Sequence, residues 1–143
     1  MSDKPFAESC VENRAPILAV LREVFADRRH VLEIGSGTGQ HAVYFAPELP
    51  HLTWQTAELP QHHAGIRQWL AEAALPNVLA PLELDVNRTE WHSGRYDAVF
   101  SANTLHIMSW PEVGQFFAGV GEVLEPGGVL VVYGPFNYHG SFT

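Results

Sequence analysis

Glu33-Ile34-Gly35-Ser36-Gly37-Thr38-Gly39 lies between a short apolar run and a helical pattern. Glycines at alternating positions let the backbone adopt positive φ and approach a ligand closely. The helix that follows would offer unpaired N–H groups and a positive dipole end, which suits an anion. A mononucleotide phosphate cradle needs a lysine after its glycines, and position 40 is Gln. The dinucleotide fingerprint needs a third glycine where Gln40 stands. Glu33 beside the loop would repel phosphates and welcome an ammonium group. A ligand carrying both a carboxylate and an ammonium, an amino acid, fits these charges better.

Two further acids fall where they could extend such a site. Glu58 comes 19 residues after Gly39, just past an expected second strand, where a carboxylate can accept from two ribose hydroxyls. Asp85 ends an expected third strand and could accept from an exocyclic amine, with Val86 pressing on an adenine face. Amino acid, ribose and adenine together describe S-adenosylmethionine. His106 sits in an apolar-rich loop after the fourth strand, and with an ordinary pKa of about 6.5 it could serve as general base. The other histidines show no H-x-x-x-H spacing and no Cys/His cluster, so no metal site is expected. The nucleophile elbow G-x-S-x-G is missing, which disfavours Ser-His-acid catalysis.

The elements that must hold these residues follow from periodicity. The spacing predicts a helix capped by Asn13, with Pro16 in its first turn, running to about Asp27. It would turn Ile17, Leu18, Leu21, Val24 and Phe25 inward. Val31, Leu32 and Ile34 read as a buried strand, and residues 38–46 as a short helix ended or kinked by Pro47. A strand is expected over 51–56, and a helix from about Gln61 to Ala74. Strands follow over 78–84, where Pro81 argues for an edge position, and over 96–101. Ser109, Pro111 and Glu112 predict a capping box on a helix over 111–124, with Val113, Phe116, Phe117, Val120 and Leu124 inward. Glu125-Pro-Gly-Gly ends that helix before a strand over 129–133. Short apolar strands alternating with helices imply an α/β fold: a three-layer α/β/α parallel sheet, with ligands at the carboxyl ends.

The chain has 143 residues, 46% of them hydrophobic and 17% charged, which fits a single domain over 1–143 with a real core. A formal net charge of -8 argues against general nucleic-acid binding through a basic face. One cysteine, Cys10, excludes an intramolecular disulfide. No apolar run approaches the ~18 residues of a membrane span, so a soluble, cytoplasmic protein is expected. The chain stops a few residues past the fifth strand. That leaves a sheet edge exposed and open to self-association unless residues 135–143 cover it.

The sequence resembles the class I S-adenosylmethionine-dependent methyltransferases. More narrowly, it is similar to a family of formerly unknown function that includes methyltransferase-like protein 26. The strings that carry the resemblance are ENRAPILAVL at 12–21, VLEIGSGTGQHAVYFA at 31–46, LTWQTAE at 52–58, LELDV at 82–86, SANTLHI at 101–107 and YGPFNYHGSFT at 133–143. The resemblance implies a Rossmann-like sheet with strand order 3-2-1-4-5 and methyl transfer to a small-molecule acceptor, and that Glu33, Gly35, Ser36, Gly37, Thr38 and Gly39 wrap the methionine part of the cofactor. It implies that Glu58 holds the ribose, and that Asp85 and Val86 meet the adenine. Ser101, Asn103 and His106 would approach the methionine and the transferred methyl. Arg14 would close over cofactor or substrate, or pair within its own helix. Tyr138, His139 and Phe142 would contribute a substrate wall or pack on the sheet edge. The family places an aspartate near the ribose position, where this chain has Thr56-Ala57-Glu58. It also continues past the fifth strand with a helix and an antiparallel hairpin, so this chain reads as shortened and is not expected to carry full activity alone. An NAD(P)-dependent oxidoreductase and a non-catalytic cofactor- or protein-binding domain stay open as alternatives.

Overall fold

The computed structural model describes residues 8–88, 91, 94–102 and 109–134, with side chains from residue 14 onward. In chain order these form α1 (Glu8–Val24), β1 (His30–Ile34), α2 (Gln40–Glu48), β2 (Thr53–Glu58), α3 (His63–Ala73), β3 (Val78–Glu83), β4 (Tyr96–Ala102), α4 (Trp110–Val123) and β5 (Leu124–Tyr133). A 3-10 turn, Pro60–His62, leads into α3. The five strands form one sheet in the order β3-β2-β1-β4-β5, and every neighbouring pair is parallel. This is the expected architecture, and β3, with Pro81, is an edge strand as expected.

Each face of the sheet has its own apolar cluster. On one face Ile17, Leu18, Leu21 and Phe25 from the α1 segment meet Phe45 of α2, with Val31, Trp54 and Phe100 of the sheet. On the other, Phe116, Val120 and Val123 of α4 cover Leu32, Ile34, Ala57 and Val99. Four of the five β1 residues are buried, as befits a central strand covered on both faces. Truncating Phe116 there would cost about 3–5 kcal/mol. Among the described residues no helix is long and apolar enough to cross a membrane.

Several boundaries differ from the sequence expectation. α1 begins at Glu8, so Asn13 is not its cap and Pro16 lies well inside it. The apolar period beyond Pro16 fixes the inward face but says nothing about how many polar turns precede it. Val24 is 37% exposed, whereas Phe25 is fully buried. β2 runs two residues later than expected, which makes Glu58 its last residue rather than a loop residue. Phe117 was expected inward and is 48% exposed. It neighbours Phe116, and a helix turns consecutive residues about 100° apart, so both cannot face the sheet. β5 starts at Leu124. Tyr96 pairs with Leu124 and Ala98 with Val129, so residues 125–128 bulge out of register. The Ser109–Glu112 capping box of α4 is present as expected.

Candidate functional site

The glycine loop leaves β1 at Ile34 and enters α2 at Gln40. Gly35, Gly37 and Gly39 have φ of 73°, 59° and 91°, a region that side chains with a Cβ rarely adopt. The glycines are not equivalent. A Cβ on Gly39 would sit 3.3 Å from the Ile66 Cα and 3.4 Å from its Cγ2, so this residue lets α2 start tightly against α3. Among the described residues, a Cβ on Gly37 would meet nothing within 4 Å, so this residue faces space that they leave open. No acid occupies the first turn of α2, and its positive end is not offset by a first-turn carboxylate.

Beneath the loop, Ser36 joins two strands. Its Oγ accepts from the Ala57 N–H at 3.0 Å and donates to Glu33 Oε1 at 3.0 Å. The amides of Gly35 and Ser36 both donate to the Ala57 carbonyl, at 3.1 and 2.9 Å. Trp54 Nε1 donates to the same Glu33 oxygen at 3.1 Å. Glu33 is only 2% exposed. Burial pushes its carboxyl up to about 7, against the smaller opposing effect of the Trp54 and Ser36 hydrogen bonds. Near neutral pH this acid is therefore poised between its neutral and charged forms. Trp54 was missed from sequence. Strand alternation puts it on the same β2 face as Thr56, whose partner across the pair is Glu33.

Above the loop, Glu58 Oε2 accepts from the Gly37 N–H at 2.9 Å, and Oε1 accepts from the Leu59 N–H at 2.8 Å. The Glu58 carbonyl accepts from the Leu84 N–H at 3.1 Å and from His63 Nε2 at 2.7 Å. These bonds tie the ends of β2 and β3 together. Asp85 follows, and its Oδ1 accepts from the Asn87 N–H at 2.9 Å, shaping a turn. Val86 packs in part against the α4-face cluster. Ser101, at the far side of β1, is buried and donates to the Ile34 carbonyl at 2.8 Å. Thr38 Oγ1 accepts from the Gln40 N–H at 3.2 Å and donates to Gln40 Oε1 at 2.9 Å, closing the start of α2.

The structure thus brings Glu33, Gly35, Ser36, Gly37, Thr38, Gly39, Glu58, Asp85 and Ser101 to the carboxyl ends of four neighbouring strands. Arg14 arrives separately, from α1, with its guanidinium 4.5 Å from the centre of the Tyr44 ring. His41, on the first turn of α2, stacks on Phe45 at 5.1 Å. Burial, and then the Arg14 charge, hold its pKa down at about 4, so it is neutral at physiological pH. His41 and Tyr44 carry no motif signal and emerge only from packing. Asn103, His106, Tyr138, His139 and Phe142 lie outside the described residues. Among the described residues no group of three or more His, Cys, Asp or Glu side chains could hold a metal ion.

A five-stranded parallel sheet in this order, with a glycine loop leaving its central strand, defines a Rossmann-like α/β protein of the methyltransferase type. Solved structures agree. The chain is similar to the S-adenosylmethionine-dependent methyltransferase SibL, with 25% identity and a TM-score of 0.78 over 87% of this chain and 36% of that one. It is also similar to PigF, solved with SAH, at 25% identity and a TM-score of 0.72 over 85% of this chain and 37% of that one. Among curated proteins it is 29% identical over 106 residues to the tuberculostearic acid methyltransferase UfaA1 of Mycobacterium tuberculosis. That match takes in 72% of this chain and 23% of the relative. The chain therefore spans well under half of the length of each of these three proteins. It belongs to the family described as protein of unknown function (DUF938), whose profile matches residues 4–143.

Proposed function

We propose that the chain binds S-adenosylmethionine at the carboxyl ends of its strands and takes part in methyl transfer to a small acceptor. One observation carries this reading. The hydrogen-bonded run from Glu33 through Ser36 to Ala57, and from Gly37 to Glu58, holds a three-glycine loop beside an acid that ends the next strand. The residues fit the cofactor. Open space above Gly37 leaves room for the methionine part. Glu58 uses one backbone donor on each oxygen, and a carboxylate offers about four acceptor sites, so two ribose hydroxyls can still be accepted. Asp85 and Val86 take the adenine amine and ring, Ser101 borders the methionine end, and Asn103 is assigned to the cofactor by the family resemblance alone. The names of SibL and PigF, the latter with SAH, support the same cofactor.

When bound, this cofactor supplies a methyl group already activated on a sulfonium, so the work left to the protein is alignment. The glycine loop fixes the amino-acid end, Glu58 fixes the sugar, and His106 takes a proton from the acceptor's hydroxyl or amine. The narrower likeness to the family of methyltransferase-like protein 26 belongs to this proposal and rests on the ENRAPIL and GPFNYHGSF strings. Self-association through β5 belongs to it too, since among the described strands β5 pairs only with β4.

Titration calorimetry with S-adenosylhomocysteine and with NAD tests the reading. Micromolar binding of the first and none of the second is expected. Binding of NAD alone would replace the proposal with a nicotinamide-dependent oxidoreductase. Binding of neither would leave a protein-binding domain.

A further inference from the structure

Arg14 is held in an unusual way for a surface-side arginine. Its guanidinium lies over the Tyr44 ring at 4.5 Å, within cation–π range. Among the side chains described, those from residue 14 onward, no carboxylate forms an ion pair with it. A guanidinium over a ring can still present N–H groups to a ligand, and its fork matches a carboxylate bidentately. Tyr44 follows His41 by three residues on α2, so the two share one face of the helix. The Tyr44 contact sets the cation on the α2 face that also carries His41, which lies in the first turn after the glycine loop. His41 stays neutral there and adds no rival cation.

We propose that Tyr44 is a positioning residue whose ring holds the Arg14 fork at the start of α2, where it takes the carboxylate of the bound amino-acid end. The inference rests on the cofactor reading above and adds to it a residue and a selectivity. Tyr44 would act only on ligands that carry the carboxylate.

Two ligands separate the possibilities: S-adenosylhomocysteine, and 5′-methylthioadenosine, which keeps the nucleoside and thioether and lacks the amino-acid end. In calorimetry on the full chain, Tyr44→Leu should weaken S-adenosylhomocysteine by about 5- to 20-fold, the range of a partly desolvated cation–π contact. It should change 5′-methylthioadenosine by less than about twofold. Tyr44→Phe keeps the ring and should restore the wild-type preference. Should Tyr44→Leu fail to fold, Arg14→Gln gives the same readout from the other partner and should show the same selective loss. Equal loss for both ligands, or loss for neither, would overturn the role of Tyr44 and leave the cofactor reading standing. A wild-type chain that binds neither ligand would overturn both.

Discussion

The glycine loop has two sides, and its two acids behave in opposite ways. Below it, Glu33 is buried, bonded by Ser36 and Trp54, and pushed toward its neutral form. Above it, Glu58 is half-buried and takes backbone donors from the loop itself. The same residue type, on two neighbouring strands, therefore does two jobs around one loop. Glu33 fastens the loop to the sheet from inside, at the cost of a buried carboxyl. Glu58 holds the loop at its rim and keeps acceptor capacity for a ligand. Changes below should cost stability, and changes above should cost binding. That division sorts the following expectations, beginning with the strongest.

Gly39→Val is expected to be the most damaging. It forces φ of 91° on a β-branched residue and presses a Cβ against the Ile66 backbone at 3.3 Å. Strain of about 1–3 kcal/mol and overpacking of about 1–3 kcal/mol act together. Thermal unfolding should show a midpoint lowered by roughly 10 °C or more, or no cooperative transition. Gly37→Val meets only the strain, at φ of 59°, because nothing lies within 4 Å of the added carbon. It should fold, with a cost of about 1–3 kcal/mol, yet lose S-adenosylhomocysteine binding beyond calorimetric detection. A folded Gly37→Val protein with near-normal affinity would place the methionine part elsewhere.

The pH dependence of stability tests the lower side. Folding raises the Glu33 pKa from 4.5 to about 7, so the folded state holds more protons than the unfolded state between those values. Stability from this group is full below about pH 4.5 and falls as pH rises to 7, by an amount on the order of 3 kcal/mol. His41 runs the other way. Its pKa drops from 6.5 to about 4, so its contribution is present above 6.5 and is lost as pH falls through that window. The two trends offset one another in the wild type, and a flat wild-type profile would say little. Glu33→Gln keeps an acceptor for Trp54 and Ser36 and removes the titration. Measured by chemical denaturation, Glu33→Gln should gain on wild type as pH rises from 5 to 8. Parallel profiles would mean that Glu33 is not buried as described.

How much of this was legible beforehand depended on whether a residue's role is local. Gly35, Gly37 and Gly39 announce themselves, because positive φ at alternating positions is a demand on residue type. The parallel α/β layering followed from apolar runs alternating with helices, and the strand order from the family resemblance. The Ser109–Glu112 box on α4 was equally local. Trp54, His41 and Tyr44 were invisible, since each acts across the sheet or between helices, where nothing in the chain marks the partner. The start of α1 failed for a related reason: its first turns carry no apolar period to read. Phe117 shows the limit of counting apolar residues on a helix, for its neighbour Phe116 already occupied the inward direction.

Glu58→Ala is the mildest and the most diagnostic change. The carboxylate lies at the loop rim, so its removal opens no cavity in either apolar cluster. The Gly37 and Leu59 N–H groups lose their acceptor, but water can reach the exposed Gly37 and replace it. The stability cost should stay near 1 kcal/mol, about that of an ordinary hydrogen bond. Cofactor affinity, by contrast, should fall by roughly 1.5–3 kcal/mol, the scale of hydrogen bonds to a charged group, or about 10- to 150-fold. 2′-Deoxy and 3′-deoxy analogues of the nucleoside should bind Glu58→Ala with a smaller relative penalty, because the partner they lack is already gone. If Glu58→Ala instead lowers the unfolding midpoint sharply and leaves affinity alone, the rim acid is a fastener like Glu33, and the two sides of the loop do the same work.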